Sequence, residues 1–168
     1  IAFQILDYAL CSAPGAPVKK ALLQKGIGTE SYGGFDNGVY QPYFSIVSKN
    51  AELSQKQEFL DIIEAELKKA VEQGIDKNAL KAALNLFEFR YREADFGSYP
   101  KGLMYGLQML DSWIYDENEP FLHIEAGDTY RILKEKIDTD YYEKLVKEYL
   151  LDNPHKAYVC VVPHKGLN

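Results

Sequence analysis

Chemistry-bearing patterns are what this sequence has little of. Its three histidines are His123, His155 and His164, and none lies three or four residues from another. Neither HxxEH nor HExxH therefore occurs, the spacings that set two imidazoles and a carboxylate on one side of a helix around zinc. His123 stands near Glu125 but lacks a second histidine. The two cysteines, Cys11 and Cys160, show no CxxC spacing, which argues against a disulfide framework or a thiolate metal site. Both sit in apolar company and read as buried free thiols. There is no GxSxG, and Gly33-Gly34 precedes a hairpin turn instead of joining a strand to a helix. The 25 acidic residues supply carboxylates but no specific acid–base pair. No catalytic, cofactor-binding or metal-binding residue is assigned.

Other absences narrow the partners. Lys and Arg number 19 against 25 Asp and Glu, a formal charge of −6, and no basic stripe is visible. Nucleic acid is not an expected partner. No apolar run approaches the roughly 20 residues that span a bilayer, and no signal peptide is present. No membrane partner is expected. Few cysteines and no visible export signal favour a cytoplasmic or organellar-matrix setting. The chain opens Ile-Ala-Phe, inside an apolar helical pattern, and reads as a piece of a longer polypeptide.

What is present is enough for a core. The chain has 168 residues, 46 % hydrophobic and 13 % aromatic, which suits one folded domain. Thirteen tyrosines fit helix boundaries or a half-wet surface. Residues 1–163 are expected to form that domain, and His164 to Asn168 the start of a linker.

The central stretch runs from Gly15 to Ser48. Pro17 opens a short helix whose apolar face is Val18, Leu22 and Leu23, and Gly26 stops it. Asp36-Asn37-Gly38 signals a hairpin. Beyond it Tyr40, Pro42, Phe44 and Ile46 alternate with Gln41, Tyr43, Ser45 and Val47. Upstream, Phe3, Leu6 and Leu10 mark a buried helix that Ala13-Pro14-Gly15 ends. Downstream, Ser54 and Gln57 propose a capping box for a helix carrying Phe59, Ile62, Ile63, Leu67, Ala70 and Val71. Gly74 closes it and Asp76 caps the next, lined by Leu80, Ala83, Leu84, Phe87, Tyr91 and Ala94. The short joint predicts an antiparallel pair. Leu86 and Phe89 lie off that stripe and predict cover on a second face. Near its end Glu88 and Arg92 stand four apart, as a solvated pair or a contact to another domain.

Pro100 starts a helix with Leu103, Leu107, Leu110 and Ile114, on which Gly102 and Gly106 predict close packing. Two further helices are expected over Asp128–Ile137 and Asp140–Leu151. Ala157 to Val162, AYVCVV, is apolar on both faces and reads as an inner strand that Pro163 ends. The fold class is α+β, an antiparallel sheet with helices packed on one face. The order is α-α-β-β-α-α-α-α-α-β, with a first strand expected upstream of Ile1.

Four stretches carry a resemblance. Leu6 to Gly28, then Gln41 to Ile46, then Arg92 to Leu103 (READFGSYPKGL), then Asn153 to Lys156 before the terminal strand follow one another at fitting distances. Together they resemble the pitrilysin-type zinc peptidases, in their presequence-protease branch, over nearly the whole chain. Those peptidases are built from four related domains that close around a peptide chamber. This chain resembles the second domain, which lacks the inverted zinc motif. The resemblance implies a non-catalytic structural domain of a zinc metalloendopeptidase, with zinc held elsewhere in the parent polypeptide. Its implied partners are the other domains of that polypeptide and the peptide substrate. The alternative is a stand-alone interaction or scaffold module that keeps the fold without catalysis.

Overall fold

The computed structural model describes residues 1–164 and Gly166. Lys165, Leu167 and Asn168, part of the expected linker, lie outside the described residues. The first helix, α1, spans Ala2–Asp7 and continues as a π-helical turn over Tyr8–Ser12. Helix α2 (Pro17–Gln24) leads to strands β1 (Glu30–Asp36) and β2 (Tyr43–Lys49). A 3-10 turn, Leu53–Gln55, opens α3 (Lys56–Gln73), followed by α4 (Lys77–Glu93) and α5 (Lys101–Trp113). Helix α6 covers Gly127–Lys136, and α7 covers Tyr141–Leu145 with a π-helical continuation over Val146–Leu151.

Local chemistry explains the best-defined boundaries. Pro17 occupies the first turn of α2, where its missing N–H costs nothing. Gly26 ends that helix at φ 68°, with its N–H on the Leu23 carbonyl and the Ile27 N–H on the Leu22 carbonyl, both at 3.0 Å. Ile27 and Leu22 are fully buried, the apolar contact that accompanies such a cap. The Asp76 carboxylate accepts from the Asn78 N–H at 2.8 Å and starts α4. The capping box before α3 falls two residues earlier than Ser54. The Glu52 N–H donates to the Gln55 side chain at 2.9 Å, because the 3-10 turn advances the helix start.

The hairpin is antiparallel, from Glu30 opposite Lys49 to Asp36 opposite Tyr43. Its loop is longer than a two-residue turn, and the Asp36 carboxylate closes it by accepting from the Gly38 N–H at 2.9 Å. Side chains alternate across the sheet. Ser31, Gly33, Phe35, Phe44 and Ile46 face the helices, and Phe3 of α1 stacks on Phe35 with ring centroids 5.1 Å apart. The fold is therefore α+β, with helices on one face of an antiparallel sheet. The closest approach is at Gly33, where an added Cβ would collide with Asp7 Oδ1 and lie 2.7 Å from Cys11 Cβ. Glycine is the residue that lets β1 touch α1.

The core joins Ile5, Leu6, Leu10, Val18, Leu22, Ile27, Leu80 and Leu84 to Tyr142 and Val146 of the last helix. Helices α3 and α4 do not form the expected pair. The former leans on α2 and the end of α7, the latter on α1 and α6. Gly74 turns the chain at φ 85°, and Ile75 is buried behind it, its N–H on Glu143 at 2.9 Å.

Ala157–Val162 forms no strand. A strand needs a second backbone beside it, and among the described residues β1 and β2 pair only with each other. The segment instead runs by the start of α3, with Tyr158 edge-on to Phe59 at 6.3 Å and beneath Lys56 Nζ at 4.6 Å.

Candidate functional site

Among the described residues, no three His, Cys, Asp or Glu side chains converge as a metal site. His123 is half-buried, while His155 and His164 are exposed. The donor set here does not fit a zinc ion, which needs three or four converging ligands. Cys11 is buried, and burial followed by the nearby Asp7 charge pushes its thiol far above the usual range. It is inert packing. Cys160 is exposed, contrary to its sequence reading, because the strand expected to bury it does not form. No helix of the described residues is long and apolar enough to cross a membrane.

The polar cluster under β1 is structural. Ser12 Oγ donates to both Asp7 carboxylate oxygens, at 2.9 and 3.0 Å, and accepts from the Gly33 N–H at 3.2 Å. Burial, partly countered by Ser12, holds the Asp7 carboxyl above its ordinary value of 3.8. The cluster locks the end of α1 to the sheet.

Open grooves among the described residues include two that are well outlined. One lies on the uncovered side of the hairpin, about 410 Å³, among Asp36, Asn37, Gly38, Tyr43, Ser45 and Asp111. Tyr43 donates its hydroxyl to Asp36 at 3.1 Å, and that bond with the carboxylate's charge raises the phenol. The other, about 350 Å³, lies at the corner between α4 and α5, among Phe89, Glu93, Ala94, Phe96, Tyr99 and Lys101. Ala94 turns this corner at φ 47°, a left-handed position, with the Asp95 N–H on the Arg90 carbonyl at 3.1 Å. Lys101 Nζ donates to the Glu93 carbonyl at 3.0 Å and holds α5 to the end of α4. Arg92 pairs with Glu88 as its spacing predicts, with the Arg92 side chain 71 % exposed. Of the two residues expected to be covered on a second face of α4, Leu86 is half-buried and Phe89 is 61 % exposed.

Helix α5 departs furthest from expectation. Leu103, Leu107, Leu110, Trp113 and Ile114 are 44–62 % exposed. Gly102 and Gly106 have nothing within 4 Å of a built Cβ, so they approach no neighbour. The side turned inward is mixed, carrying Met104, Tyr105 and Met109 as well as Gln108, Asp111 and Ser112. Ser112 is buried, its hydroxyl on the Glu119 carbonyl at 2.7 Å. The apolar stripe was legible in the sequence; that it points outward was not.

The corner and α5 hold the Arg92–Leu103 stretch on which the resemblance partly rests. No family model matches the chain. Protein HypA of Clostridium perfringens is 42 % identical over 168 residues, covering all of this chain. Presequence protease 1, chloroplastic/mitochondrial, of Arabidopsis thaliana is 31 % identical over 97 % of it. The chain is a relative of the presequence proteases. The mitochondrial presequence protease of Xenopus laevis, 24 % identical over 95 % of this chain, agrees. The chain spans only 16–17 % of the length of these relatives. The match to the presequence proteases thus runs through nearly the whole fold, from α1 to the segment after α7.

Proposed function

We infer that this chain is a non-catalytic domain of a zinc-dependent metalloendopeptidase of the presequence-protease type. The observation that carries the reading is the near end-to-end match to one-sixth of much longer relatives. Residues 1–163 make the domain, and the chain from His164 leads to the next. Its role is to wall a peptide chamber and to support the domain that holds the zinc. The metal would supply an activated water for peptide hydrolysis there. The residues here contribute the scaffold: the Phe3–Phe35 stack, the Asp7–Ser12–Gly33 lock and the α1–α2 core that hold the hairpin. Other domains of the same polypeptide and the peptide substrate are the partners of this reading.

The test is the native reading frame on both sides of this segment, followed by assay of its product. An HxxEH motif upstream, with chelator-sensitive peptide hydrolysis by the whole polypeptide and none by these 168 residues, is the expected result. A frame opening just before Ile1 overturns it in favour of a scaffold module. Chelator-sensitive turnover by the 168 residues alone also overturns it.

A further inference from the structure

We propose that the outward face of α5 is the surface by which this domain packs against a helix elsewhere in the same polypeptide. The inference rests on the chain being a domain of a larger peptidase, and it names the surface that joins domain to domain.

The argument begins with orientation. An amphipathic helix turns its apolar stripe to whatever buries it. In α5 that leucine stripe is exposed, while a mixed side of Met104, Tyr105, Gln108, Met109, Asp111 and Ser112 turns inward. Leu103, Leu107, Leu110 and Ile114 follow one another at steps of four, three and four, the seam along which two helices interlock. Beside the seam, Gly102 and Gly106 leave open space above the backbone. That space suits bulky apolar side chains from a closely approaching helix. Leu103, Leu107, Leu110, Trp113 and Ile114 expose on the order of 500 Å² between them, so covering them removes on the order of 1,000 Å² in total, the lower end of specific interfaces.

The occupant follows from tethering. The relatives are about six times longer than this chain, so most of such a polypeptide lies outside it. A tethered helix acts at an effective concentration in the millimolar range, roughly a thousand times that of a second copy at micromolar levels. Two copies would also each bring a charge of −6. The partner chemistry is an α-helix of the same polypeptide with an apolar seam and large side chains opposite the glycines.

The test substitutes Leu107→Glu with Leu110→Glu, which keeps helix propensity. In the 168-residue chain the pair is expected to leave the unfolding midpoint unchanged. In the full polypeptide it is expected to lower chelator-sensitive hydrolysis at least tenfold and to speed hydrogen exchange in α5. Without any substitution, α5 amides are expected to be protected in the full polypeptide and unprotected in the 168-residue chain. Equal exchange in both overturns the proposal. So does a full-length double variant that matches its parent in activity and midpoint. Self-association of the 168 residues through α5, with free α5 exchange in the full polypeptide, overturns it in favour of a second copy. A full polypeptide with no chelator-sensitive activity defeats the functional reading instead, and the exchange measurement still decides this one.

Discussion

The first 49 residues and helix α5 are built from similar amphipathic material and end differently. In the first region α1, α2 and β1 bury Ile5, Leu6, Val18, Leu22 and Ile27 to 0 % exposure. In the second, Leu103, Leu107 and Leu110 stay 44–54 % exposed over a comparable length of helix. Both sequences offer an apolar stripe. The difference is that the first region brings its own cover, a hairpin and a second helix within the same short stretch. Helix α5 has no such neighbour in these residues. A stripe in a sequence states that burial is needed and is silent on who supplies it.

The largest effect should come from the closed region. Leu6→Ala removes a fully buried side chain and is expected to cost about 2–5 kcal/mol, read as a lower urea midpoint. The matched change Leu107→Ala should move the midpoint of the 168-residue chain by no more than about 0.5 kcal/mol. Comparable losses at both positions would erase the contrast. Next is Gly33→Val, which drives a side chain into Asp7 and Cys11 and is expected to destabilise by about 1–3 kcal/mol. A neutral result would show that β1 does not lie as close to α1 as described.

The Asp76→Ala variant should lose about 1 kcal/mol with the N-cap of α4. An unchanged thermal midpoint would show that the cap contributes nothing. At the left-handed end of the same helix, Ala94→Gly should shift stability by less, since relief of backbone strain opposes loss of a buried methyl.

Asp7 gives the closed region a pH signature. Its folded carboxyl is held above 3.8 by burial, so the folded state keeps this proton to higher pH than the unfolded chain. Its contribution is most favourable below that ordinary value and is lost as pH rises through the raised folded value. Asp7→Asn, which keeps an oxygen for Ser12, should flatten the stability curve across that window. Superimposable curves for the two proteins would remove Asp7 as the cause. The smallest effect belongs to the open surface. Arg92→Ala breaks a pair with Glu88 in which the arginine is exposed, and should cost about 0–1 kcal/mol in urea unfolding. A loss above 1 kcal/mol would mean that the corner is more closed than its exposure indicates.

Much of the fold was legible because it is local. Pro17, Gly26, Gly74 and Asp76 set helix ends by their own backbone or side-chain chemistry, and the structure keeps those boundaries. The alternation Phe44, Ile46 against Tyr43, Ser45, Val47 put the right faces of β2 in and out. Apart from the capping box, shifted from Ser54 to Glu52 by a local 3-10 turn, the misreadings involve a partner at long range. The α3–α4 pairing was misjudged because each helix packs mainly on other elements, and the joint between them is tied to Glu143, 68 residues away. AYVCVV has the composition of an inner strand, yet strand formation requires a second backbone. Gly102 and Gly106 permit close approach but cannot summon a neighbour. No catalytic or ligand residue was assigned from the sequence, and the surface that emerges is defined by exposure, a quantity no single residue carries.

By itself, then, the sequence determined the helix caps, the hairpin, the polarity of each face and the kinship with the presequence proteases, since these depend on residues near one another or on order along the chain. Only the tertiary structure decided which apolar faces are closed and which remain open. Closure is a matter of which surfaces meet in space, and α5 shows that a stripe written for burial can still face water until another surface is brought against it.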